Sequence, residues 1–396
     1  MRHKTENIKG ITLIALVITI IVLLIFAGVG IAMLTGQNGI LTQAQKAKQA
    51  TELKSAEEKV KLAIIATRSQ SKTGALDADK LIAEITNNYG GVASKTNNGF
   101  PVDAIVDGKN FIIDKDGNIV EKKERPGLKV GDYINYKPDT ADGKTYSLPS
   151  TQSWYSSNQT IAKDTLNWRI LKIKADGSID IISDPTNNTV RFGGALGYNN
   201  GVYLLNDICK ELYSNTSKGV TARSVNLKDM ESWLTDAGKT ARDKYTSQGI
   251  KYGENQTYTG GNSYTPDVYN LEEDENSNHY ISPTTKTSTK LETLNTKQTY
   301  YILLINEENY GDGAKVLNNS SSYWVAAHYV TCFSYYANFG LRDIHDGMNG
   351  GASMFNSNNR NGINNDHIRA VVSLGPDVKI NVNTGDNPAN AHTIEW

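Results

Sequence analysis

No charged residue occurs between Ile11 and Leu34, a run of 24 residues. As a helix it would extend about 36 Å, more than the roughly 30 Å of a bilayer's hydrocarbon core, so the sequence predicts a transmembrane helix over residues 11–35. Arg2, His3, Lys4 and Lys9 stand ahead of the run with Glu6 as the only acid. The positive-inside rule then predicts a single-pass cell-membrane protein with its N-terminus cytoplasmic and its C-terminus extracellular. The chain of 396 residues has a mean hydropathy of −0.45, which predicts a soluble bulk beyond this one apolar segment, with room for two or three domains.

Lys9-Gly10-Ile11-Thr12-Leu13-Ile14 sits at the junction of the basic leader and the apolar run. A short basic leader ending in glycine ahead of such a run resembles the class III signal of type IV prepilins and type II secretion pseudopilins. The resemblance implies cleavage by prepilin peptidase after Gly10 and methylation of the new N-terminus at Ile11, with residues 1–10 as leader. It also implies pilin or pseudopilin subunits as partners through residues 11–67, beside the membrane itself. Ala15 stands at the fifth mature position, where the family usually carries Glu. That departure points away from a major pilin and toward a minor or terminal subunit. A plain uncleaved anchor is the alternative.

Gly36-Gln37-Asn38-Gly39 interrupts the helical pattern. Periodicity resumes from Ile40 to about Thr67, where Leu53, Ala56, Val60 and Ile64 share a face and Glu57 and Lys61 form an i, i+4 pair. Residues 36–72 are therefore expected to form a stalk helix. A small αβ head is expected over 73–124: a helix across Asp77–Tyr89, then strands at Val102–Val106, Asn110–Asp114 and Asn118–Glu121 separated by Asp-Gly turns. Asp114-Lys115-Asp116-Gly117-Asn118 has its glycine one place too early for an EF-hand and lacks the twelfth-position Glu, which favours a turn over a calcium loop.

Pro126-Gly127 breaks the chain after a charged run, and a second, larger α+β domain is expected over 127–396. Trp168–Lys174 and Ile179–Ile182 predict a hairpin, Tyr203–Tyr213 a helix, and Asn226 an N-cap answered by Asp229. Residues 235–297, rich in Thr, Asn, Ser and charge, are expected to be a polar excursion, and Tyr300–Ile305 a buried strand.

The final quarter carries the candidate site. Between Tyr323-Trp324 and Ile368-Arg369-Ala370-Val371-Val372-Ser373-Leu374 lie Tyr335, Tyr336, Phe339-Gly340-Leu341-Arg342, Asn356, Asn359 and Arg360. Aromatics and Arg interspersed with Asn, Ser and Gly combine flat apolar area with adaptable hydrogen bonding. Tyr335, Tyr336, Arg342, Asn356, Asn359 and Arg360 are therefore the expected contacts for an extracellular glycan or protein. The Tyr-Trp-x-Ala opening, the central Phe-Gly-Leu-Arg and the closing Ile-Arg-x-Val-Val-Ser-Leu resemble bacterial C-type lectin-like domains and, more distantly, formylglycine-generating-enzyme-like domains. The resemblance implies terminal strands supporting an irregular binding surface; Ala370 stands where relatives commonly place Pro.

Cys209 and Cys332 both fall in the exported part, where a disulfide or two buried free thiols are equally compatible with the sequence. Neither Cys332 with His328 or His345, nor His328, His345 and His367 together, has a diagnostic catalytic or metal-binding spacing. No enzyme activity, cofactor or metal is expected. A net charge of −1 provides no field for nucleic acid. The expected function is a minor type IV pilin or pseudopilin-like surface protein presenting an adhesive domain. The alternatives are a tethered receptor that never assembles and a type II secretion pseudopilin that binds cargo.

Overall fold

A computed structural model describes residues 16–25, 39–95, 99–153, 157–259, 293–333, 336–356 and 360–396. Residues 16–25 are helical, and no helix among the described residues is long and apolar enough to cross a membrane. This corrects the expected long transmembrane stalk and leaves single-pass topology unsupported. Gly10, Ile11, Ala15 and residues 26–34 lie outside the described residues. The architecture is α+β with many small sheets, and the chain divides into Met1–Lys123 and Glu124–Trp396.

In the first unit, helix α1 (Ile40–Ser69) buries Ala56, Val60, Ala63 and Ile64. These recur at three and four residues and form one stripe. Asp77 caps α2 (Ala78–Asn88) by accepting from the Lys80 amide, 3.0 Å away, and α2 contributes Leu81 and Ile85. Four antiparallel strands follow in sequential order: β1 (Val92–Lys95), β2 (Val102–Val106), β3 (Lys109–Ile113) and β4 (Ile119–Glu121). Asp107 and Gly108 both take positive φ, 50° and 72°, as a two-residue hairpin turn between β2 and β3 demands. Asp114 Oδ1 accepts from the amides of Asp116 and Asn118 at 2.8 and 2.9 Å, so this segment is a self-bonded turn rather than a calcium loop.

The second unit starts with β5 (Ile134–Asn135), then the hairpin of β6 (Trp168–Ile173) and β7 (Ile179–Ser183). β8 (Val190–Gly193) leads directly into α3 (Gly194–Tyr213), a helix nine residues longer at its start than the sequence suggests. Its first turns are glycine- and asparagine-rich, a composition that hides a helix. Gly201 is needed there, because a Cβ would meet Leu341 Cδ1 at 2.2 Å. After β9 (Ala222–Ser224), Asn226 and Asp229 form the full capping box at the start of α4 (Leu227–Glu231).

The expected excursion 235–297 is partly structured. α5 (Asp236–Lys244) is capped by Thr235, and Arg242 pairs with Glu231 at 3.0 Å while lying over the Tyr252 ring. Asn255–Thr259 also pairs with Thr293–Lys297. Caps, ion pairs and strand pairing replace the apolar pattern whose absence suggests a loop. Residues 260–292 lie outside the described residues.

Tyr301, Leu303 and Ile305 are buried while Ile302 and Leu304 are exposed, so the strand β10 (Leu303–Leu304) is one-faced rather than wholly buried. The central hairpin is β11 (Tyr323–Cys332) and β12 (Ala337–His345). All ten residues of β11 are buried, because alternate side chains enter two different cores: Trp324, Ala326 and Val330 on one face, Tyr323, Val325 and Ala327 on the other. β13 (Met348–Asn349) and β14 (Ala352–Asn356) pair with β12, and β15 (Arg360–Asn361) extends β14. β16 (Ile363–Asp366) pairs with β8, and β17 (Ala370–Leu374) sits between β9 and β7. β18 (Lys379–Asn381) and β19 (His392–Glu395) close the chain, β19 lying parallel to β5.

Candidate ligand-binding surface

The β11–β12 connection turns on Phe333 and Tyr336, whose rings stack 4.1 Å apart at 12°, with the Phe333 amide donating to the Tyr336 carbonyl at 2.9 Å. Cys332 and Ala337 close the hairpin ladder beside them. Asn356 pairs with Asn338 on one side and with Arg360 on the other. Tyr336, Asn356 and the Arg360 backbone therefore belong to the same end of one sheet. Tyr336 and Asn356 are partly exposed, and Asn364 donates to the Ser353 carbonyl at 2.8 Å across the neighbouring strands. Tyr335 and Asn359 lie outside the described residues.

Arg342 does not join them. It is fully buried, donates to the Thr299 carbonyl, and lies over the Tyr301 ring at 4.5 Å. The expectation of a surface contact fails because strand alternation turns this residue inward, beside Ile344 and opposite Val325. Arg369 is built the same way: it donates to the Ser183 and Val316 carbonyls, both at 2.8 Å, and lies over Tyr323. The arginines of the Phe-Gly-Leu-Arg and Ile-Arg motifs thus bond inward to backbone carbonyls.

Cys209 and Cys332 are free, buried thiols, which corrects the disulfide alternative. Burial pushes the Cys332 thiol up to about 12 and the Cys209 thiol up as well. Neutral thiols of this kind are packing groups rather than nucleophiles. His328, four residues before Cys332, is fully buried with Nε2 2.7 Å from the Tyr198 carbonyl.

A feature not anticipated from the sequence lies at the opposite end of β12. Asp343 and Asp366 are 9% and 5% exposed, and burial pushes the Asp343 carboxyl up to about 7, with the Asp366 charge adding to the effect. Asp366 is raised too, chiefly by burial, against the opposing influence of Ser322, His345 and His367. The available signal is the alternation along Leu341-Arg342-Asp343-Ile344: with both strand faces covered, each of these side chains has to be buried. Comparisons with protein-family models, with curated proteins and with solved structures return no match.

Proposed function

We propose that the chain is a minor type IV pilin- or pseudopilin-like surface protein whose second unit presents a binding surface for an extracellular glycan or protein. One observation carries the binding half of this reading: Tyr336, Asn356 and the Arg360 backbone lie at one end of a single sheet, with Tyr336 and Asn356 partly exposed. A flat aromatic beside amide groups on a rigid scaffold is suited to recognition. Display rests on the leader ending in Gly10, with processing at Ile11 by a prepilin peptidase and subunit contacts within residues 11–67. Gly10→Val is expected to leave the N-terminal sequence uncut, read by mass spectrometry of the intact chain. Binding of the full chain to a glycan array is expected to fall about tenfold in a Tyr336→Ala, Asn356→Ala double variant, the loss of about 1.4 kcal/mol. Equal array signals from the variant and the parent chain would refute the assigned surface.

A further inference from the structure

A row of polar residues stands in register across the strands at the Tyr336 end of the sheet. Thr331 on β11 lies opposite Asn338 on β12, and Asn338 lies opposite Asn356 on β14. Their chain neighbours fix the face they occupy. Cys332 and Ala337 enter the main core, as do Phe339 and Phe355, whose rings stack 4.8 Å apart. Side chains alternate along a strand, so Thr331, Asn338 and Asn356 point to the other face. Further along, that face is closed: the Tyr329 ring lies where a Cβ on Gly340 or Gly351 would collide with it, and it packs against Tyr300 with centroids 4.7 Å apart. Exposure returns along the row, with Thr331 buried and Asn338 and Asn356 partly exposed.

Two carboxamides at this end are incompletely bonded. Asn338 Oδ1 is enclosed without a hydrogen-bond partner. So is Gln298 Nε2, although Gln298 Oε1 accepts from the amide of Cys332, the residue after Thr331. An enclosed polar atom left unbonded is destabilising, and an apolar side chain would fill the same place without that penalty. Its presence points to a role other than packing.

The chemistry of the row selects a class of ligand. A hydroxyl and two carboxamides, each able to donate and to accept, carry no charge. Sugar hydroxyls have the same dual capacity. An extended peptide would instead satisfy its backbone at a strand edge, not on a sheet face. Neighbouring strands lie about 4.8 Å apart, close to the length of one pyranose in an extended chain. Successive strands therefore offer one polar side chain to each successive sugar unit.

We propose that Thr331, Asn338 and Asn356 bind a neutral, extended glycan lying across the strands, with Asn338 as the residue that sets this specificity. The inference rests on the binding surface proposed above and narrows its ligand from glycan or protein to glycan.

The test is calorimetric titration of the full chain with cellohexaose and chitohexaose, which are extended, beside maltohexaose, which coils, and glucose, a single unit. Saturable binding of at least one extended hexamer is expected, at least about tenfold tighter than that of maltohexaose or glucose. Asn338→Ala is expected to weaken it at least about tenfold while the thermal midpoint holds or rises, because the unbonded oxygen is gone. Thr331→Val keeps the shape, removes the hydroxyl and is expected to weaken binding about threefold or more. Absence of binding by both extended hexamers, equal affinity for all four sugars, or unchanged affinity in Asn338→Ala would overturn the proposal. A lower thermal midpoint with unchanged affinity in that variant would assign Asn338 to the fold alone. If neither hexamer binds but another array ligand does, and the Tyr336→Ala, Asn356→Ala variant loses it, the surface stands and the extended glycan falls; a parent chain silent on the array refutes both.

Discussion

The two units bury different kinds of side chain. Among the described residues of the first, the core is Ala, Val, Leu, Ile and Phe111, and Thr67 is the one buried polar residue, its hydroxyl donating to the Ala63 carbonyl. The second encloses Arg342, Arg369, His328, Asp343 and Asp366 within or beside its sheets. Apolar contacts are sufficient for a small helix-and-sheet packing. Buried charges oppose stability unless each is paired, and they persist where they fix a loop or serve a ligand. Arg342 is held by the Thr299 carbonyl and Arg369 by those of Ser183 and Val316, whereas burial and the neighbouring Asp366 charge raise the Asp343 carboxyl to about 7.

Substitutions can break this contrast in graded steps. The largest effect is expected from Trp324→Ala, which empties the main core and leaves the Val190 carbonyl without its indole donor at 2.8 Å. A loss of about 4 kcal/mol is expected in denaturant unfolding. Phe111→Ala should act on the first unit by about 3 kcal/mol, and a fluorescence change shared by both substitutions would contradict separate cores.

The next effect is pH-dependent. The Asp343 carboxyl moves from 3.8 to about 7 on folding, so between those values the folded state binds more protons than the unfolded state. Its contribution to stability is complete below about pH 4 and is lost as pH rises from there through 7, by about 1.4 kcal/mol for each step of one in pH. Asp343→Asn should therefore raise the urea midpoint at pH 8 by more than at pH 4.5. Equal changes at the two pH values would remove the uncompensated carboxylate from the contrast.

Smaller effects concern helix starts. Asn226→Ala breaks a capping box that is buried and should cost about 1.5 kcal/mol. Asp77→Ala removes one exposed cap bond from the first unit and should cost about 1 kcal/mol or less. Replacing the exposed Glu57–Lys61 pair, at 2.7 Å, should change stability by under about 0.5 kcal/mol. A reversed order for the two caps would show that burial around Asn226 is not what gives it weight.

Legibility in the sequence follows the same division. α1, α2 and the Asp-Gly hairpin of the first unit agree with expectation to within one or two residues, because periodicity and turn chemistry act locally. So does the Asn226 cap, and Trp324 is core as its strand context suggests. The first turns of α3 are hidden because Gly194, Gly197, Asn199, Asn200 and Gly201 lack a helical pattern and are held by close packing instead. Arg342 is misread from sequence because a cation among aromatics and amides resembles a binding surface until strand alternation and the covering residues near Thr299 and Tyr301 are known. Asp343 escapes notice for the converse reason: a carboxylate in such a stretch looks ordinary until its burial is known. The expected membrane-spanning helix rests on hydropathy and length alone, and no helix among the described residues is long and apolar enough to cross a membrane.

The most direct measurement is a carboxyl carbon NMR titration of Asp343 in the full chain. A carboxylate buried beside Asp366 predicts a midpoint near 7. A midpoint near the ordinary 3.8 would contradict it.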